Sequence, residues 1–268
     1  RMLCKYFYDR GTDEKGHHLQ YALMFGNGTF DNKQITNAFK ALSFPALLTW
    51  QSPNSSIESS TYCTDAPVSS LQDGSGNNWG SNEQNIAVGR FPVKSEEEAR
   101  IAVDKLINYI TSPNYGTWRN KAILVADDEQ GGDFMKQTEE YIKSAQKNEG
   151  NNYLFKRIYL DAYESESLGS SRNYPGARND LYGGLRDGVI MWGYNGHSSP
   201  NVVSDNNIVR NNDYLNNMFY KHLPLMLATT CELARYDALE ESGGELMFLN
   251  KNGGAIAVLS TNRQAGIT

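Results

Sequence analysis

Positive charge is in deficit in this chain. Its 25 Lys and Arg against 31 Asp and Glu leave a net charge of −6, and the pI is near 5.3. There is no basic field to hold a phosphate backbone, so a nucleic-acid partner is disfavoured. Long apolar runs are also missing. None approaches the roughly 18 to 20 residues needed to cross a bilayer, and the best, such as 254–259, are of strand length, so no transmembrane segment is expected in this chain. No Gly-x-Ser-x-Gly elbow and no Gly-x-x-x-x-Gly-Lys-Ser/Thr loop occurs, which leaves serine-hydrolase and P-loop nucleotide chemistry unsupported. Close His or Cys pairs at zinc-ligand spacing are absent too. A metal site built from His197, His222 and acidic residues is the main rival, while His17-His18 sits in a polar turn. Cysteine is scarce, with three in all. If Cys4 and Cys63 are paired or inert, Cys231 remains a free thiol, which in a secreted protein raises the question of reactivity. The bland reading of a lone cysteine is a small buried hydrophobe. The opening Arg1-Met2-Leu3-Cys4-Lys5-Tyr6 lacks the layout of a signal peptide and reads as the middle of a helix, so a fragment or a processed product is expected.

What is present is the pattern of an α/β protein. From about residue 20, short apolar runs alternate with amphipathic stretches, as strands alternate with helices around a mostly parallel sheet. Strands are expected at Tyr21–Phe25, Ala122–Ala126, 153–160, Val189–Trp192, Pro224–Thr229 and Ala255–Leu259. The clearest helix starts at a capping box, Ser95 with Glu98, and carries Ala99, Ala102, Val103, Leu106, Ile107 and Ile110 on one face before Pro113 ends it. Residues 52–85 are rich in Ser, Asn, Gly and Asp without apolar period and read as a long surface excursion. The division expected is a partial N-terminal α/β subdomain with a long loop over 1–92 and a second, catalytic subdomain over 93–268. The many Asn, Gly, Ser and Tyr lean towards an extracellular protein.

In open α/β sheets, reactive groups gather beyond the carboxyl ends of the strands. Three segments end there with functional residues: Tyr194-Asn195-Gly196-His197-Ser198-Ser199, Thr230-Cys231-Glu232, and the acidic loop Asp127-Asp128-Glu129-Gln130-Gly131-Gly132-Asp133. A thiol, an imidazole and carboxylates thus reach one edge. A cysteine attacks as its thiolate, and a nearby histidine can generate that thiolate and later protonate a leaving amine. The backbone N–H groups of Ser198 and Cys231 are the candidates to stabilise an oxyanion. Taken one at a time, each feature has a dull alternative: a turn at Gly-His, a core cysteine, a helix cap at the acidic residues. Their joint placement is what favours nucleophilic catalysis.

Tyr194-Asn195-Gly196-His197 followed by Cys231 resembles the His and Cys segments of clan CD cysteine peptidases, specifically the gingipain family. Ala228-Thr229-Thr230-Cys231-Glu232-Leu233-Ala234-Arg235-Tyr236-Asp237 is similar to the corresponding segment of the PorU-like branch, the sortases of type IX secretion. The resemblance extends to Leu23–Asn32, Val88–Val93, Trp118–Lys121 and Asn252–Ala257. It implies a caspase/gingipain-like α/β fold and peptide-bond cleavage through a thioester by Cys231 and His197. Glu129 is implied as the third residue, with Asp128 the neighbour that could replace it, and Asp133 as a substrate-binding carboxylate in the S1 pocket. No cofactor is required for this chemistry. Structural calcium is compatible with the family, and Asp65, Asp73 and the acidic loop offer oxygen ligands of the right kind. For the sortase branch the resemblance implies release of C-terminal sorting domains from secreted cargo, attachment of that cargo to surface lipopolysaccharide, and secretion-system partner proteins. It also implies a secreted or outer-membrane, cell-surface location in a Gram-negative bacterium. Ser198 departs from the family, which usually has glycine there; if the position needs a positive φ, the oxyanion site is distorted. Two alternatives stay open: a non-catalytic binding or scaffolding module at the cell surface, and a general secreted protease.

Overall fold

The computed structural model describes residues 1–35, 46–47, 50–53, 60–75, 83–112, 114–149, 152–168, 171–210 and 212–265. The chain divides into two compact units, Arg1–Ala99 with Tyr236–Leu239, and Arg100–Arg235 with Glu240–Thr268. Among the described residues no helix is long and apolar enough to cross a membrane.

In the first unit, helix α1 (Met2–Arg10) is followed by two parallel strands, β1 (Tyr21–Phe25) and β2 (Ala87–Phe91), in a register that sets Phe25 opposite Phe91. The stretch expected to be a surface excursion is largely packed where it is described. Cys63, Val68 and Leu71 are buried, and Cys63–Thr64 pairs antiparallel with Trp50–Gln51. Polar side chains close the backbone in place of a ladder, which is why no apolar period announces it. Asn85 Oδ1 accepts from the N–H groups of Leu71 (2.7 Å) and Gln72 (3.1 Å), and Asp237 Oδ2 accepts from Cys63 N–H at 2.8 Å. Residues 54–59 and 76–82 of that stretch lie outside the described residues.

Helix α2 (Glu96–Thr111) opens close to the expected way. Ser95 Oγ accepts from Glu98 N–H at 3.2 Å, but the Glu98 carboxylate takes Lys94 N–H at 2.6 Å, one residue before the predicted partner. Pro113 lies outside the described residues. The apolar stripe is not buried along its length: Ala102 is covered, whereas Ile110 is 70 % exposed. A charged residue takes an inward place instead. Lys105 is buried and its Nζ donates to the carbonyls of Met247 (3.0 Å), Phe248 (2.9 Å) and Asn250 (3.0 Å). Those carbonyls lie at the end of a helix described below, where intrahelical partners run out.

The second unit is built on a five-stranded sheet. Its elements are β3 (Lys121–Ala126), α3 (Asp133–Glu149), β4 (Leu154–Tyr159), α4 (Pro175–Asp187), β5 (Met191–Asn195), β6 (Leu225–Thr229), α5 (Gly243–Leu249) and β7 (Ala257–Leu259). All pairings are parallel and the order is β7-β6-β5-β3-β4. Helix α4 begins with Pro175 at its first position, where the missing N–H costs nothing, and buries Ala177, Leu181, Tyr182 and Leu185. These meet Ile123, Val125, Trp192 and Met226 in the core, each worth roughly 1.5–3 kcal/mol when fully buried. Strand ends differ from the apolar runs where the backbone has other work. Ala255 and Ile256 precede β7 because their N–H groups go to Met247 O and Pro224 O, both 3.0 Å. Strand β5 extends through polar Asn195, because its ladder runs to Thr229 on one side and Ala126 on the other.

Candidate active site

The parallel register sets Ala126, Asn195 and Thr229 at one level at the carboxyl ends of β3, β5 and β6. The acidic loop, the His197 loop and the Cys231 turn all leave from that level. Asn195 ties two of them together, its Nδ2 donating to Phe134 O (3.0 Å) and Gln137 Oε1 (3.2 Å) at the start of α3.

The His197 loop is organised around a residue that sequence reasoning passed over. Asp127 is buried and accepts three hydrogen bonds: from Tyr194 O–H (2.7 Å), His197 N–H (3.0 Å) and Ser204 O–H (2.5 Å). Burial is the main cause that pushes its carboxyl up to about 6 against the pull of those donors. Gly196 sits against it: a Cβ there would lie 2.6 Å from Asp127 Oδ2. The His197 ring stands edge-on to Phe134, with centroids 5.3 Å apart. Its Nε2 is 3.4 Å from Glu129 Oε2 and 3.5 Å from Gln130 Nε2. Nδ1 has no hydrogen-bond partner among the described residues.

On the other side, Cys231 lies two residues past the end of β6 and the chain turns sharply through Glu232, whose φ is +56°. Glu232 N–H donates to Arg263 O (3.2 Å) and Thr261 Oγ1 (3.1 Å), and Ala234 N–H to Thr261 O (2.9 Å). Cys231 is half-buried, and its Sγ accepts from Ala265 N–H at 3.4 Å. The two loops are joined directly, because Ser198 O–H donates to the Cys231 carbonyl. Thr230 O–H donates to Gly196 O at 2.7 Å and lies 2.8 Å from Ser198 Oγ. Ser198 itself is unstrained: it has no positive φ and pairs with Val203 in a short antiparallel ladder. Ser204 N–H donates to His197 O, which makes Ser198–Val203 the non-hydrogen-bonded pair and turns the Ser198 N–H away from the partner strand.

All of residues 1–268 match the profile of Peptidase family C25. The chain belongs to that family. Solved structures with the same fold include the Arg-specific cysteine proteinase gingipain R (17 % identity, TM-score 0.61), where the match covers 98 % of this chain and 53 % of that one. They also include the complex of Porphyromonas gingivalis RgpB pro- and mature domains, at 16 % identity and TM-score 0.64, covering 99 % and 55 %. The chain spans about half the length of these structures. No curated protein matches. The family and the sheet order agree on a caspase/gingipain-like α/β fold.

Within this C25 chain the remaining candidates fall elsewhere. Asp128 does not reach His197: Arg172 Nη1 is 2.6 Å from its carboxylate, and it accepts from Tyr174 O–H (2.6 Å) and Asn206 Nδ2 (2.9 Å). Three consecutive acidic residues point in diverging directions as the strand ends, so one of them meets the histidine. Asp133 is the first residue of α3 and pairs at the surface with Lys136 at 2.8 Å, both side chains over half exposed. The carboxylates named for calcium fit it poorly. Asp65 is gripped by the Arg90 guanidinium at 2.6 and 2.8 Å, Asp73 pairs with Lys5 at 2.8 Å, and no group of three or more His, Cys, Asp or Glu placed to hold an ion occurs among the described residues. The zinc rival fares no better, since His222 lies against Asn114 and Trp118, near the start of β3.

Proposed function

We propose that this C25 family member is a cysteine endopeptidase in which Cys231 is the nucleophile and His197 its base. What supports this most is the tie between the two loops, with Ser198 bonded to Cys231 and Glu129 facing the far nitrogen of His197. In the reaction we envisage, His197 Nδ1 takes the thiol proton and Sγ attacks the scissile carbonyl. The backbone N–H groups of Ser198 and Cys231 hold the oxyanion, and His197 returns the proton to the leaving amine as the C–N bond breaks. A thioester on Cys231 remains, to be opened by water or an amine. Glu129 orients His197.

The finer reading is a PorU-like transpeptidase that removes C-terminal sorting domains from secreted cargo at the surface of a Gram-negative bacterium. It rests on the likeness of Thr230–Asp237 to that branch. The exposed Asp133–Lys136 pair gives no support to arginine specificity of the gingipain R kind.

Cys231→Ala should abolish cleavage of a peptide library while leaving the denaturation midpoint unchanged, and retained turnover would sink the assignment. Adding a free amine acceptor separates the finer reading from a plain protease. A sortase should yield the amine-capped product by mass spectrometry, and hydrolysed product alone would refute that role.

A further inference from the structure

At the opposite end of the same sheet lies a cavity of about 270 Å³. It is bounded by the turn before β3, the segment before β6, one face of α2 and the residues following α5. Its walls include Lys105, Arg119, Lys221, His222 and Lys251, and no Asp or Glu. That inverts the balance of a chain whose acidic residues outnumber its Lys and Arg by 31 to 25.

The cations here are also left over. Elsewhere in the second unit, four bases pair with carboxylates: Lys136 with Asp133, Lys156 with Asp180, Arg157 with Glu139, Arg172 with Asp128. Among the described residues, Arg119, Lys221 and Lys251 have no such partner, and Arg119 lies instead over the rings of Tyr115 and Trp118. Like charges gathered without counter-charge repel one another and are a standing cost to the fold. The cavity is also firmly built. His222 stacks on buried Trp118 at 4.9 Å, in a space that exists because residue 188 is glycine: a Cβ there would come within 2.7 Å of the imidazole. Asn114 Nδ2 donates to His222 Nδ1 at 2.9 Å, so the neutral ring carries its proton on Nε2 and is a donor. Lys105 stands behind them, its three N–H bonds spent on carbonyls.

We infer that this cavity binds a small multivalent anion of the phosphate-ester or diphosphate class. Several cations around a compact space suit closely spaced negative oxygens, with Asn252 as a neutral donor. The volume is at the small end for ligand sites, which fits a compact anion better than a length of polypeptide. Burial lowers the Lys105 ammonium to about 7, and a bound anion would restore its charge. The inference is independent of the peptidase reading, because the site lies at the amino-terminal ends of the strands and shares no residue with the His197 and Cys231 loops.

Titration calorimetry with inorganic pyrophosphate at low ionic strength tests it. The native chain should bind saturably. The exposed pair Lys221→Glu with Lys251→Glu should weaken Kd by about tenfold or more, while Lys15→Glu with Lys147→Glu, which changes net charge equally, should weaken it by less than about twofold. Absence of saturable binding to the native chain, or equal weakening by both double variants, would overturn the proposal.

Discussion

The loops carrying His197 and Cys231 leave adjacent strands at one level, yet they are held by different kinds of bond. His197 depends more on side chains: beside the backbone bond from Ser204 N–H to its carbonyl, the Asp127 carboxylate gathers its N–H together with the hydroxyls of Tyr194 and Ser204. Cys231 depends mostly on main chain, with Glu232 and Ala234 donating to the backbone and side chain of 261–263, and Ala265 N–H on the sulfur. A site held by side chains can be loosened by one substitution far from the reacting atoms, whereas a site held by backbone resists it. The histidine side of the site should therefore be the fragile one.

The largest effect expected from this contrast is at Asp127. Truncation by Asp127→Ala removes all three bonds and frees the His197 loop. A loss of about 100-fold in kcat/KM is expected, the scale of a misplaced catalytic group, carried by kcat and with Cys231 alkylation by a small reagent slowed in parallel. Asp127→Asn keeps the shape and changes the proton linkage. In the folded chain the carboxyl titrates near 6 against a usual 3.8, so the folded state holds more protons between those values. The stability this group contributes is fully present below about pH 3.8 and is lost as pH rises through about 6, on the order of 3 kcal/mol in all. Urea midpoints measured from pH 4 to 7 should fall with this slope in the native chain and lack it in Asp127→Asn. Unchanged slopes would remove Asp127 from its positioning role.

A smaller effect is expected at Glu232, where the contrast predicts tolerance. Its φ of +56° disfavours a residue with a Cβ by about 1 kcal/mol. Glu232→Gly should keep activity within about twofold and leave stability unchanged or raised by no more than about 1 kcal/mol. Glu232→Val should lower the denaturation midpoint. A collapse of activity in the glycine variant would mean that the side chain, with its neighbour Arg235, and not the backbone, holds the turn.

The same contrast explains what could be read from the sequence. Strands at 21–25, 121–126, 154–159 and 225–229 follow their apolar runs closely; at Lys121–Ala126 the run is continuous because the strand is buried on both faces, whereas Leu225–Thr229 buries every second residue. That the loops carrying His197 and Cys231 leave the sheet at one level followed from where the strands end. Asp127 was not legible: in sequence it is one of three successive acids, and only its hydrogen-bond partners tell it from Asp128, which serves Arg172 and Tyr174. Helix α5 was missed although its signal is present. Ser242 and Glu245 form a complete capping box, but Gly243-Gly244 within it reads as a loop. The stripe on α2 erred the other way, since periodicity marks an apolar face without saying what covers it, and Ile107 and Ile110 stay over half exposed.

The smallest predicted effect sharpens the comparison at the point where the two loops meet. The Ser198 side chain adds a bond from the His197 loop to the Cys231 carbonyl. Since the backbone there is not left-handed, glycine would relieve no strain and would lose both the hydroxyl and some order. Ser198→Gly should therefore lower stability by roughly 1 kcal/mol and reduce kcat/KM by only about two- to fivefold, with Ser198→Ala falling between it and the native chain. A rise in activity for Ser198→Gly would reverse the argument. It would mean that the serine hampers the oxyanion site and that the link between the loops is a restraint on catalysis, not a support for it.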